Sequence, residues 1–186
     1  MKAIIISGMP AAGKTTVAGI LGKKLGLKVV GMGDVLKEMA KEQGYSITGE
    51  DWWDTSEAMK FLKERETNPD FDREADTKLI EMISKGDIII TSWTAPWLSK
   101  DGYKVWLAAK VQNRAARMAR RDNTNEKEAL STTKTRDREN YKLFKGLYNF
   151  ELGKDLTPFD LIVDTDSIAA EQVAEIVLKK IKEKLA

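Results

Sequence analysis

The 186-residue sequence contains no cysteine and no histidine, and only four prolines. Without cysteine the chain forms no disulfide and offers no thiolate to a metal ion. Without histidine it lacks the commonest general base, so proton transfer would fall to carboxylates, lysines or tyrosines. No apolar run approaches the roughly 20 residues of a membrane-spanning helix, and no signal peptide precedes the first apolar segment. We therefore expect a cytoplasmic protein that has no membrane partner.

An excess of charge of one sign is also missing, since 31 Lys and Arg stand against 29 Asp and Glu, a net charge of +2. This balance predicts no general affinity for polyanions, and no specific nucleic-acid partner is expected. The basic C-terminal segment is interpreted as a solvated helix end. The length suits a single domain with one substantial core, which we assign to residues 1–186.

The N-terminal segment carries a complete phosphate-loop motif, G-x-x-x-x-G-K-[ST]. Its residues are Gly8, Met9, Pro10, Ala11, Ala12, Gly13, Lys14 and Thr15, and Thr16 follows. A β-branched run precedes the motif and an amphipathic helical pattern follows it, which is its usual context. Backbone N–H groups of such a loop point at phosphate oxygens, Lys14 can reach the β- and γ-phosphates, and Thr15 can coordinate Mg²⁺. The sequence therefore predicts a nucleoside triphosphate site.

Strand-like and helical patterns alternate along the whole chain. Strands are predicted at about 2–7, 28–32, 87–91, 103–107 and 161–163, and helices at about 35–43, 72–85, 111–121 and 125–148. Such alternation predicts the α/β class, a three-layer α/β/α fold with a parallel sheet of about five strands and helices on both faces. Asn125 and Glu128 form a predicted capping pair. Gly19 and Gly22 interrupt the first helix, and we interpret them as points of close packing on the sheet.

Arginines are clustered in the second half of the chain. Arg114, Arg117 and Arg121 follow the i, i+3, i+7 spacing of one helix face, and Arg136 lies in the next helix. A phosphoryl-transfer enzyme needs cations that converge on a largely dissociative transition state. The same spacing suits a surface helix with salt bridges, and the spacing alone leaves both interpretations open.

The chain resembles the nucleoside-monophosphate kinases, and specifically the archaeal-type cytidylate kinases. The similar segments are the phosphate loop, 25–27, 33–35, 39–40, 69–76, 117–121, Arg136, Tyr148 and 159–165. The resemblance implies helical segments that bind the acceptor at about 34–86 and form a lid at about 122–140. It implies that Arg117 lies beside the adenine, near 166–168, and that Arg121 and Arg136 contact the phosphates.

The function predicted on these grounds is an ATP-dependent kinase that uses Mg²⁺ and phosphorylates CMP or dCMP. Its partners would be small-molecule nucleotides, and we expect a monomer or a homodimer. Lys14, Arg117, Arg121, Arg136 and Asp34 are the predicted catalytic residues.

The sequence departs from the family where arginines commonly bind the acceptor phosphate. Lys37 follows the Gly-Asp pair, and Trp93 follows the third strand. Lysine replaces a bidentate arginine poorly, because it is a point charge and not a planar fork. Arg65 or Arg73 is a candidate for the missing contact, and the alternative is a different acceptor.

Two carboxylates of the acceptor region each admit more than one role. Asp34 is interpreted as a water-mediated Mg²⁺ ligand, a base for an acceptor hydroxyl, or the N-cap of a helix over 35–43. Asp72 either accepts a hydrogen bond from a cytosine amino group or caps its helix.

Four tryptophans, Trp52, Trp53, Trp93 and Trp97, fall in or beside the acceptor region. Each is either a stacking partner for a nucleobase or hydrophobic filler. Trp93 is the predicted ligand contact, because it follows the carboxyl end of a strand, where open α/β sheets bind ligands.

Two further functions stay open at this stage. One is a P-loop kinase of a small hydroxylated metabolite, with Asp34 as the base. The other is a nucleotide-binding protein or regulatory ATPase whose acceptor site has decayed, which the tryptophan at position 93 suggests.

Overall fold

The computed structural model describes residues 1–47, 60–61, 68 and 70–185. Its strands are β1 (Ile4–Gly8), β2 (Lys28–Gly31), β3 (Ile88–Thr91), β4 (Tyr103–Ala108) and β5 (Leu161–Asp164). Its helices are α1 (Lys14–Leu25), α2 (Met32–Glu42), α3 (Asp70–Lys85), α4 (Ala95–Leu98), α5 (Val111–Asp122), α6 (Glu126–Tyr148) and α7 (Ala170–Leu185).

The strands form one parallel sheet in the order β2-β3-β1-β4-β5. Strand β1 lies at its centre and is buried along its whole length, as expected for a β-branched strand that helices cover on both faces. The predicted α/β class and the parallel five-stranded sheet are confirmed. Each predicted strand bound lies within two residues of the observed one.

Alternate residues of the central strands contribute to two hydrophobic cores. Ile5 and Ile90 pack in a cluster with residues of α2 and α3. Ile4 and Ile89 face the opposite side, where they pack with residues of α1 and α7. Both faces of β1 are therefore filled. The strand ends at the carboxyl edge of the sheet with Gly8, the first residue of the phosphate-loop motif.

Strand β1 is also where the order of strands in the sheet changes side. From β1 the chain continues to β2 on one side, and from β3 it crosses β1 to reach β4 on the other. Ligands of open α/β sheets bind at such a switch point. The topology therefore directs attention to the loops that follow β1, β2 and β3.

Helices α5 and α6 form an antiparallel hairpin beside this edge. The Asn125 side chain accepts a hydrogen bond from the Glu128 N–H at 2.8 Å, which confirms the predicted cap of α6. Small side chains of Ala115, Ala119 and Ala129 pack between the two helices. Most of the segment predicted as a lid, 122–140, therefore belongs to the first half of a long helix that packs on α5.

Gly22 marks a close contact between α1 and the start of β2. A Cβ atom at Gly22 would lie 2.6 Å from Cγ2 of Val29 and 3.0 Å from the carbonyl oxygen of Leu27. The predicted close packing is confirmed at this position. It is wrong for Gly19, where a Cβ would meet no described atom within 4 Å.

The two glycines provide a matched stability test. Gly22→Ala should lower the free energy of unfolding by about 1–3 kcal/mol, because the new methyl group overpacks a contact with backbone. Gly19→Ala should raise it by about 0.5–1 kcal/mol, because alanine is the better helix former at a site with space. Urea denaturation followed by circular dichroism measures both changes, and changes of the same sign would contradict this account of α1.

Candidate active site

The phosphate loop turns sharply as it leaves β1. Gly8 has φ +155°, and a Cβ there would lie 2.6 Å from the carbonyl oxygen of Leu107 on β4, so no larger residue fits. Gly13, at φ 99°, is the N-cap of α1 and no side chain caps the helix. The first N–H groups of α1 are thus available to an anion, and the helix dipole favours one.

Lys14 is folded back onto this loop. Its Nζ donates hydrogen bonds to the carbonyl oxygens of Gly8 at 2.7 Å and Met9 at 3.0 Å. Burial lowers the pKa of Lys14 to about 7, and the positive charges of Arg114 and Arg136 act in the same direction. The ammonium therefore lies in surroundings that are short of negative charge, which the phosphates of a ligand would supply.

A cavity of about 600 Å³ opens beside the loop at the carboxyl ends of β2 and β3, a size typical of small-molecule sites. The charged and hydroxyl side chains predicted for the site that line it are Lys14, Thr15, Asp34, Lys37, Asp72 and Arg136. They come from α1, α2, α3 and α6, which are far apart in sequence. The fold therefore brings together residues of four helices that were predicted for the acceptor and phosphate sites.

Asp34 has a structural contact within its own turn. Its Oδ2 accepts a hydrogen bond from the Gly31 N–H at 2.7 Å. The prediction that Asp34 is the N-cap is wrong, because α2 begins at Met32 and Gly31 occupies the cap position. The carboxylate lies in the first turn of α2, where its negative charge interacts favourably with the positive end of the helix dipole. It also lines the cavity.

The alternative role of Asp72 as a helix cap is also wrong. Helix α3 begins at Asp70, whose N–H donates to Oδ1 of Asn68 at 3.1 Å. Asp72 therefore lies inside the first turn, and it contributes to the cavity wall. The contact to a cytosine amino group stays a prediction.

Asp76 is a cavity residue to which sequence reasoning gave no role. It is 4% exposed, its Oδ1 accepts a hydrogen bond from the Thr94 hydroxyl, and its Oδ2 accepts one from the Tyr148 hydroxyl at 2.6 Å. Burial and the bond to Asp76 raise the pKa of Tyr148, so this phenol stays protonated and donates. The carboxylate thus joins α3, the segment after β3 and the end of α6.

Arg114, Arg117 and Arg121 of α5 each have different partners. Arg114 is buried and forms a bidentate ion pair with Asp137 of α6, at 2.9 and 2.6 Å. Arg117 donates to the hydroxyl and carbonyl oxygens of Thr165, which places it next to 166–168. Arg121 is exposed and pairs with Asp122 at 2.6 Å. The roles predicted for Arg117 and Arg121 stay predictions.

Of the two candidates for the missing acceptor-phosphate arginine, one lies in the described part of the chain, and it does not line the cavity. Arg73 is exposed, pairs with Asp70 at 3.0 Å and is not among the residues that line the cavity. Arg65, Trp52 and Trp53 lie outside the described residues. Among the described residues, the arginine that lines the cavity is Arg136, and Lys37 lines it from α2.

The two described tryptophans of this region have different environments. The Trp97 ring stacks on Phe150 with centroids 4.2 Å apart, and its Nε1 donates to Asp155 at 3.1 Å. Trp97 is therefore hydrophobic filler in the aromatic cluster around Trp106. Trp93 lines the cavity, and its Nε1 donates to the carbonyl oxygen of Gly8 at 3.0 Å.

Within the described residues, no group of three or more His, Cys, Asp or Glu side chains is placed to hold a metal ion. Of the helices in that same part of the chain, none has the length and apolar character to cross a bilayer.

The profile of the cytidylate kinase-like family matches residues 3–167. This protein belongs to that family. The cytidylate kinase of Sulfurisphaera tokodaii is 33% identical over 177 residues, which cover 94% of this chain and 92% of the relative. The cytidylate kinase of Pyrococcus horikoshii is 33% identical over 175 residues, which cover 94% and 85% of the two chains.

Among solved structures, this family member is similar to a shikimate kinase from Acinetobacter baumannii in complex with shikimate, with a TM-score of 0.56. The two are 21% identical, and the match covers 99% of this chain and 94% of that one. At this identity the similarity shows a shared fold alone.

The lowered pKa of Lys14 predicts that ATP binding takes up protons. At pH 8 most of the free protein would carry neutral Lys14, whereas phosphate oxygens next to Nζ would restore the ammonium. Uptake should approach one proton per ATP at pH 8, and ATP affinity should fall as the pH rises above 7. Calorimetry with EDTA present, in two buffers of different ionisation enthalpy, measures the uptake. Lys14→Met should abolish it, and an absence of uptake in the wild type would refute the prediction.

Proposed function

We propose that this protein is an ATP- and Mg²⁺-dependent kinase that transfers the γ-phosphoryl group of ATP to a nucleoside monophosphate, with CMP or dCMP as the acceptor. Family membership supports the class of reaction. The observation that carries the proposal is the continuous cavity, which extends from Lys14 of the phosphate loop to Lys37 and Asp72 of the acceptor region. Donor and acceptor can therefore meet in one enclosure.

On the donor side, the loop N–H groups and the start of α1 hold the phosphates. Lys14 leaves the carbonyl oxygens of Gly8 and Met9 and binds the β- and γ-phosphate oxygens. Arg136, which already lines the cavity, supplies positive charge to the transferring group. Arg117, held against Thr165, is in a position to contact the adenine that would lie beside 166–168.

The Thr15 hydroxyl fits the role of a protein ligand for Mg²⁺. Thr15 is exposed at the first turn of α1, next to Lys14, and lines the cavity. Since no acidic cluster lies among the described residues, phosphate oxygens and water would complete the coordination. When bound, Mg²⁺ would neutralise negative charge that develops on the phosphates during transfer.

On the acceptor side, cations and carboxylates line one cavity. Lys37 and Arg136 would bind the phosphate of the monophosphate, and Asp72 would accept a hydrogen bond from the cytosine amino group. The acceptor phosphate is already an anion, so transfer needs no general base. This agrees with a site in which the Asp34 carboxylate is bonded to the Gly31 N–H.

A kinase of a small hydroxylated metabolite would need Asp34 as a base. The similarity to shikimate kinase does not favour that function, because it shows the fold alone. Family membership favours the nucleotide acceptor.

The proposal is tested by ADP release with ATP and Mg²⁺ against CMP, dCMP, UMP, AMP, GMP and shikimate. CMP or dCMP should give the highest kcat/KM. Lys14→Ala should lower it by about a hundredfold or more, because the transferring phosphate loses its closest cation. Circular dichroism should show that this variant is folded. Turnover that only shikimate stimulates, or ADP release that no acceptor stimulates, would contradict the proposal.

Asp72→Asn should raise the KM for CMP about tenfold and reduce the preference for CMP over UMP. The carboxylate accepts from the cytosine amino group, and a hydrogen bond to a charged group contributes about 1.5–3 kcal/mol. An asparagine amide can instead donate to the O4 of uracil, so turnover of UMP should improve.

The matched control is Asp70→Asn. It alters an exposed carboxylate two residues before Asp72, in the same helical turn, that pairs with Arg73. It should leave both KM values within about twofold, as expected for an exposed ion pair. Equal effects of the two substitutions would contradict a direct contact between Asp72 and the base.

A further inference from the structure

Trp93 lies on the wall of the acceptor cavity, but its polar contacts are made to the phosphate loop. Its indole N–H donates to the carbonyl oxygen of Gly8 at 3.0 Å. The Lys14 ammonium lies over its ring, 5.3 Å from the centroid. Both partners belong to the motif that binds the donor phosphates. A residue that stacks on the acceptor base would instead need its ring face free for that base.

The carbonyl oxygen of Gly8 receives two donors at once, the indole of Trp93 and the ammonium of Lys14 at 2.7 Å. When Lys14 moves to the phosphates of ATP, it gives up its bond to this oxygen. Gly8 is buried, and a buried carbonyl oxygen without a partner loses the hydrogen bond that water would otherwise give it. The indole N–H therefore remains as the donor that keeps Gly8 paired while the lysine is in use.

The ring of Trp93 is held in this orientation by its surroundings. It is half-buried, and it packs against Phe144 of α6 with centroids 6.0 Å apart and planes tilted by 57°. A stacking platform needs an open, parallel ring face. Here the N–H edge is used by Gly8, and the ammonium of Lys14 lies over the ring.

We propose that Trp93 is a positioning residue of the donor site. It fixes the carbonyl group of Gly8, and it guides the Lys14 ammonium with its ring face, so that the loop is shaped for ATP before ATP arrives. This inference rests on the proposed function, because it takes the phosphate loop as the ATP site. It differs from the sequence-based prediction, in which Trp93 contacts the acceptor base.

The test compares the KM for ATP with the KM for CMP in two variants of Trp93. Trp93→Leu removes both the N–H donor and the aromatic ring, and it should raise the KM for ATP about tenfold. Trp93→Phe keeps a ring beside Lys14 but loses the donor, so its KM for ATP should rise about threefold to fivefold. The KM for CMP should stay within about twofold in both variants.

Trp97→Phe is the matched control, because it removes an indole of the same segment that bonds to Asp155 and has no bond to the phosphate loop. It should leave both KM values within about twofold. The addition of ATP should change tryptophan fluorescence in the wild type and in Trp97→Phe. That change should be largely lost in Trp93→Phe, which also serves as the conservative variant if Trp93→Leu does not fold.

A higher KM for CMP with an unchanged KM for ATP would overturn the proposal and assign Trp93 to base stacking. Unchanged values for both substrates would overturn it as well. The dissociation constant for ATP, measured by calorimetry without an acceptor, should rise in the Trp93 variants by the same factor as the KM. If the wild type phosphorylates no nucleoside monophosphate, the proposed function fails, while this ATP titration still decides the role of Trp93.

Discussion

The buried ion pair of Arg114 and Asp137 ties the phosphate loop to the helix that lies over it. Arg114 is 4% exposed, and besides its two bonds to Asp137 it donates to the carbonyl oxygen of Pro10 at 3.2 Å. A guanidinium so removed from water is stable only when its donors are paired, and the loss of one partner leaves an uncompensated charge. The loop, α5 and α6 therefore keep a fixed relation, which also sets the position of Arg136.

The fold could be predicted because its signals are local. The isoleucines of β1 are buried on both faces of the sheet, as an uninterrupted β-branched run indicates. The helix cap at Asn125 and the phosphate loop are likewise each specified by a few residues close together in the sequence. Short motifs of this kind determine their own geometry. The predicted strands and helix starts therefore lie within a few residues of the observed ones.

The side-chain partnerships of the site could not be predicted in the same way. Arg114 and Asp137 are 23 residues apart, and Asp76 and Tyr148 are 72 residues apart. Helical spacing indicates which residues share a face, but it does not indicate what that face will meet. Here α5 packs against α6 near Arg114 and against the segment after β5 near Arg117, so arginines on one face have different partners.

Helix α6 has 23 residues, a rod about 35 Å long, and polar contacts fix it at two points along its length. At Asp137 it pairs with Arg114, which also donates to Pro10 of the phosphate loop, and at Tyr148 it donates to Asp76 of α3. A tilt of this helix would therefore change the phosphate loop and the surroundings of Asp76 together. A ligand whose binding tilted the helix would alter the affinity of the other site, and thermodynamic linkage would make that effect equal in both directions.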